Sequence, residues 1–104
     1  MNRDKILSLL GLATRSGSTV SGEFMVEKSV KAHRVKLVFV AEDTSDGSKK
    51  NYSDMCNFYH VPIFFYGTKE TLGHCIGKAM RAAVAVTDEG FANRMIELLK
   101  DSKL

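Results

Sequence analysis

The chain has two cysteines, one proline and no tryptophan in 104 residues. Two thiols, Cys56 and Cys75, cannot make a disulfide framework, so buried thiols in a reducing cytoplasm are expected. No apolar stretch approaches the roughly 18 residues that a membrane span needs. Signatures of catalysis are missing too: there is no G-x-G-x-x-G, no phosphate-binding P-loop and no G-x-S-x-G elbow. The three histidines, His33, His60 and His74, do not combine with Cys56 and Cys75 into a paired-Cys zinc spacing. The polar stretch Glu42 to Ser48 lacks the alternating acids and the closing Glu of a calcium loop. Neither a metal nor a cofactor is expected.

Met1 to Ala13 carries the outline of a signal peptide: basic residues, then ILSLLGLA, then a small residue. The apolar run is short, contains Ser8 and follows Asp4. Ile6, Leu9, Leu10 and Ala13 repeat at helical spacing, which predicts an amphipathic packing helix, with Asn2 as its cap and Asp4 in its first turn.

An apolar content of 44% suffices for one core, and the length suits one domain spanning residues 1–104. The net charge of +3 is unevenly spread. Residues 1–41 hold seven basic against three acidic groups, whereas the remainder holds eight against nine. The positive field therefore belongs to the N-terminal part and favours an anionic partner.

Lys36 to Ala41 and Ile63 to Tyr66 are unbroken apolar, β-rich runs, and Ala82 to Val86 is a run of small apolar residues. All three predict buried strands with helices over both faces. Thr19-Val20-Ser21 is long enough only for an edge strand. Helices are predicted from Gly22 to about His33, from Lys49 to His60, from Lys69 to about Ile76 behind a Thr68 cap, and after a Thr87 or Asp88 cap. Gly77 is expected to end the fourth helix, leaving Lys78 to Arg81 as a short loop. The order α-β-α-β-α-β-α-β-α predicts a three-layer α/β/α sandwich.

The chemistry gathers in Ser21 to Lys36, SGEFMVEKSVKAHRVK. Ser21 is a candidate N-cap, and Gly22 permits a tight bend and close approach of a ligand. Helical spacing turns Met25, Val26, Ser29 and Val30 inward, and Phe24, Lys28 and Lys31 outward. A flat ring beside two ammonium groups suits an unstacked base and its phosphates. A solvated lysine face with Phe24 lying on a neighbouring element accounts for the same pattern.

Gly22-x-x-x-x-x-Lys28, then Lys36 to Asp43, Tyr59-His60-Val61-Pro62, Leu72-Gly73-x-x-x-Gly77 and Val84-Ala85-Val86 together resemble the kink-turn-binding ribosomal-protein family often called L-seven-Ae. Leu9 to Arg15, Val20 to Glu23 and Val86 to Ala92 resemble its bacterial YlxQ-like branch. The order and spacing of these motifs cover nearly the whole chain. The resemblance implies an α/β/α sandwich with a mixed sheet of roughly four strands. It also implies a non-catalytic, cytoplasmic module that binds a kink-turn or similarly bent structured RNA, ribosomal RNA among the candidates. In such modules a helix N-terminus enters the RNA at tandem sheared G·A pairs, and an apolar loop cradles a flipped-out nucleotide. Carried over, the first site is Gly22, Glu23, Phe24, Met25 and Lys28, and the second is Lys78, Ala79, Met80 and Arg81. Arg15, Lys31, Arg34 and Lys36 are expected to contact phosphates around them. Many relatives place Asn and Glu where this chain has Phe24 and Met25, which cannot make bidentate polar contacts with a base. A protein-interaction module and a small nucleotide-binding enzyme are the competing readings of the same fold.

Overall fold

The computed structural model describes residues 2–101. Five helices and four strands alternate: α1 (Asn2–Arg15), β1 (Thr19–Ser21), α2 (Glu23–Lys31), β2 (Leu37–Val40), α3 (Asp46–Phe58), β3 (Ile63–Phe65), α4 (Lys69–Cys75), β4 (Ala83–Val86) and α5 (Glu89–Asp101). The expected capping roles of Asn2 and Asp4 lie outside the side chains described.

The sheet order is β1-β4-β2-β3, with β4 antiparallel to both of its neighbours and β3 parallel to β2. Alternation along the two central strands divides the interior. Leu37, Phe39, Ala41, Val84 and Val86 face one layer, where Ile6 and Leu10 of α1, Leu72 of α4 and Met95 and Leu99 of α5 meet them. Val38, Val40, Ala83 and Ala85 face the other, against Val26 and Val30 of α2 and Tyr52 and Cys56 of α3. This is the expected mixed four-stranded α/β/α sandwich, with α1, α4 and α5 on one face and α2 and α3 on the other. The alanines of β4, Ala83 and Ala85, let the α2/α3 layer approach the middle of the sheet. At roughly 25 cal/mol per Å2 of apolar surface removed from water, these two clusters hold the layers together.

Helix ends follow local chemistry. Ser45 accepts a 3.3 Å bond from the Ser48 amide, so α3 begins at Asp46, ahead of the expected Lys49. Thr68 and Thr71 cap α4 reciprocally, and Asp88 Oδ2 accepts from the Phe91 amide at 2.9 Å to start α5. α2 and α3 end with left-handed histidines, His33 at φ 60 and His60 at φ 59. In each case the next amide reaches back to close the last turn: Arg34 to Ser29 at 3.1 Å, and Val61 to Cys56 at 2.8 Å.

Three expectations are corrected. Ser21 is not the cap of α2; Gly22 is, and no side chain bonds that helix end. Met25 does not pack inward but is 43% exposed, because the buried stripe of α2 is Val26, Ser29 and Val30. The run from Ile63 is no fully buried strand: β3 lies at the sheet edge, its residues half-buried, with Phe65 exposed. Its apolarity serves one face and the neighbouring loops.

Candidate nucleic-acid interface

Register decides which residues share the candidate site. Ser21, the last residue of β1, pairs with Val84 near the start of β4. The Gly22 amide then donates to Ala83 O at 3.4 Å. The N-terminus of α2, which follows β1, is thereby set beside the loop that precedes β4. Residues some 60 positions apart in sequence become neighbours.

Gly22 adopts φ 91 and ψ 146, a region that side-chain-bearing L residues rarely enter. With no side chain capping the helix, its first-turn N–H groups point outward at the positive end of the dipole, where they favour an acceptor. Phe24 is 72% exposed on this turn, next to the exposed Met25. One turn on, Lys28 is exposed and makes no ion pair with any described residue.

The opposing loop is shaped by two closures. The Gly77 amide bonds His74 O at 3.0 Å and the Lys78 amide bonds Gly73 O at 2.8 Å, which ends α4 and folds the chain back over it. The return is so close that a Cβ on Gly73 would lie 1.5 Å from Ala79 O. No other residue fits there without moving the loop. Lys78, Ala79 and Met80 are exposed, and Met80 offers 59% of its surface.

Arg81 ties the two halves together. Its amide donates to Lys69 O at 3.0 Å. Its guanidinium donates from Nη1 to Met80 O at 2.9 Å and from Nε to Ser21 Oγ at 3.3 Å. Ser21 therefore serves this bridge rather than the helix cap. Asp43 adds a second brace, accepting from the Lys69 amide at 2.9 Å. Sequence reasoning missed Ser21 as a strut, Asp43 and Gly73. Of these, only Gly73, a glycine inside a helical pattern, carried a local signal.

Gly22, Glu23, Phe24, Met25, Lys78, Ala79, Met80 and Arg81 thus share one end of the sheet, and Lys28 stands in the last turn of α2, one turn on from Phe24. The other cations expected to contact phosphates do not. The Lys36 amide bonds Val86 O at 2.8 Å, and Leu37 pairs with Val86, so Lys36 and Arg34 sit at the opposite end of the strands. Arg15, which leads into β1, lies at that end as well. The two ends are roughly 10 Å apart along a four-residue strand. Lys31 lies on the flank of α2, 2.8 Å from Glu27.

Covalent chemistry has no foothold in the thiols. Burial pushes Cys56 up to about 11 and raises Cys75 as well, so neither is an activated thiolate. The two pack on opposite faces of the sheet. Among the described residues, no three His, Cys, Asp or Glu side chains are grouped to hold a metal ion, and no helix is long and apolar enough to cross a membrane.

Comparison with known proteins bears on the fold and the family. The model of the Ribosomal protein L7Ae/L30e/S12e/Gadd45 family matches residues 4–96. The RNA-binding protein YlxQ of Bacillus subtilis is 48% identical over 91 residues, covering 88% of this chain and 91% of its own. A solved structure of a protein of unknown function from Bacillus halodurans C superimposes with a TM-score of 0.88 at 38% identity, covering 92% of this chain and 97% of that one. The Giardia lamblia 15.5kD RNA binding protein shares the fold, with a TM-score of 0.80 at 19% identity over 97% of this chain and 88% of its own. With its sandwich, its glycine-started α2 and a family match across most of its length, the chain belongs to the L7Ae/L30e/S12e/Gadd45 family of ribosomal proteins.

Proposed function

We propose that residues 1–104 form a single non-catalytic RNA-binding domain that recognises a kink-turn or a similarly bent RNA, ribosomal RNA among the candidates, in the cytoplasm. The observation that carries this reading is the β1–β4 register, which sets the uncapped start of α2 against the Met80 loop. The YlxQ relative is named as an RNA-binding protein, which supports the same partner class.

The proposed mechanism is shape recognition. The first-turn amides of α2 and Lys28 meet the groove edge and phosphates at the bend. Phe24 stacks on an unpaired or sheared base, and Met80 presses on an extruded one; stacking of this kind is worth roughly 1–3 kcal/mol per base. Phe24 and Met25 carry no groups for bidentate base readout, so specificity comes from the fixed arrangement of the α2 start and the Met80 loop and the RNA geometry that fits it. Arg81 holds the Met80 loop to Ser21 at the start of α2, and Lys78 supplies a phosphate contact.

A mobility-shift titration tests this reading with a kink-turn RNA and the same RNA with its tandem G·A pairs replaced. Preference for the intact kink by tenfold or more is expected. Equal affinity for both would reduce the interaction to polyanion attraction.

A further inference from the structure

At the end of the sheet opposite Gly22, α2 and α3 stop and the chain turns into β2 and β3. The two turns enclose a pocket of about 360 Å3, lined by His33 and Lys36 from the first and by Tyr59, His60, Val61 and Pro62 from the second. Parallel pairing of β2 with β3 sets the turns side by side, and the Val38 amide donates to Pro62 O at 2.9 Å. His33 and Tyr59 meet edge to face, with ring centroids 5.6 Å apart. Among the described residues, His33 and His60 are the two side-chain-bearing positions with left-handed backbone, at φ 60 and φ 59, and both line this pocket. Glycine would close either helix without strain. Two exposed imidazoles stand there instead, around one opening, and strained backbone of this kind points to a use for the side chain. The charge is one-sided as well. No carboxylate lines the pocket. Lys36 and its neighbour Arg34 are exposed and make no ion pair with any described residue. Glu27, in the adjoining groove that shares Tyr59, is held by Lys31 at 2.8 Å. Asp88, which follows β4 at this end, accepts from the Phe91 amide and starts α5 on the other face of the sheet. The C-terminal ends of α2 and α3 act against an anion, but each carries only about half a charge, and the turn-closing amides already occupy the carbonyls of Ser29, Val30, Cys56 and Asn57.

We infer that this pocket is a second RNA site, which takes an unpaired nucleotide of a single strand. Its base lies against the rings and the apolar Val61–Pro62 edge, and the flanking phosphates meet Lys36 and Arg34. The pocket is large enough for one nucleoside. An acidic peptide has the charge but no flat ring to cover the imidazoles and the proline, whereas a strand of RNA supplies both at a regular repeat. The site also gives a use to Arg34 and Lys36, which the register removes from the Met80 loop. With two such surfaces at opposite ends of one sheet, the domain holds two RNA segments at once. The inference does not depend on kink recognition, because no residue of the pocket belongs to the α2 start or to the Met80 loop.

The test uses the whole chain, isotope-labelled and followed by amide chemical shifts. Hexaadenylate RNA is titrated in, with the same hexamer carrying abasic sugars and with hexaglutamate as comparison ligands. A saturable set of shifts over residues 33–36 and 59–62 is expected, separate from any set over residues 22–25 and 78–81. Read from the first set, hexaadenylate should bind about threefold or more tighter than either comparison ligand. Lys36→Ala should weaken that binding about threefold and lower its salt slope by about 0.7, while the second set responds as in the parent. His33→Asn, which keeps a residue tolerant of left-handed backbone, should weaken hexaadenylate and leave the abasic hexamer unaffected. Affinity for the kinked RNA should move little in either variant, so failure of the kink preference and failure of this site are read separately. Equal binding by the abasic hexamer or by hexaglutamate would overturn the inference in favour of polyanion attraction. Absence of the first set of shifts, or unchanged affinity there in a folded Lys36→Ala variant, would overturn it as well.

Discussion

The two ends of the sheet are built by different means. At the end carrying His33, Lys36 and His60, local bonds close the chain: each left-handed histidine is locked by amides that reach back within its own helix. At the end carrying Gly22 and Met80, closure depends on contacts between distant segments, above all Arg81 on Ser21 and the Met80 loop on Gly73. Local closure makes a turn that almost any neighbouring structure tolerates. Long-range closure makes a surface whose shape depends on the whole fold, and shape is what a folded RNA can recognise. Charge alone does not separate the two ends, since cations occupy both.

The sharpest way to break this contrast is Gly73→Ala. Its methyl group would collide with the Ala79 carbonyl, so either α4 or the loop must shift. A loss of about 3 kcal/mol or more in denaturant unfolding is expected, together with loss of RNA binding. A stable variant with intact RNA affinity would mean that the loop's close return is not needed.

Next is the pair Lys28→Ala and Lys36→Ala. Affinity for the kinked RNA should fall by about 1–3 kcal/mol for the first, and by much less for the second at the far end. Equal losses in filter binding would erase the distinction between the ends. Arg81→Gln sharpens it from another side. Because the guanidinium is spent on Ser21 and Met80, affinity should drop while the slope of log affinity against log salt stays as in the parent. Lys78→Gln should instead reduce that slope by about one unit.

Smaller effects concern stability. Cys56 in the α2/α3 layer is raised by burial from 9.0 to about 11, so the folded state holds its proton where the unfolded chain releases it. The contribution is fully present below pH 9 and declines as pH rises toward 11. On the order of 2 kcal/mol should vanish across that window in alkaline denaturation, and Cys56→Ala should flatten the decline. At the locally closed end, His60→Gly should raise stability by about 0.5–1 kcal/mol by relieving a left-handed conformation. RNA affinity should not change.

Much of the architecture was legible in the chain. The runs Leu37–Val40 and Ala83–Val86 are apolar at every position because both of their faces are covered, and that requirement is written in composition. Thr68, Gly77 and Asp88 mark helix ends through bonds to residues within five positions, so the sequence announces them. The candidate site was legible in part. Gly22 and Lys28 stand at a recognisable spacing and Met80 lies in a visible loop. Met25 was misplaced because helical periodicity fixes angles and not the width of the buried stripe.

Sequence by itself therefore determined the element order, the two-sided core and the residue types available to meet an RNA, since these follow from periodicity, caps and apolar content. Tertiary structure alone decided that β4 lies between β1 and β2, and hence that Ser21 bonds Arg81 and that Lys36 faces away from Gly22. The physical reason is strand order and register. They depend on hydrogen bonds and packing between segments far apart in the chain, and no local pattern encodes which partner a strand will take.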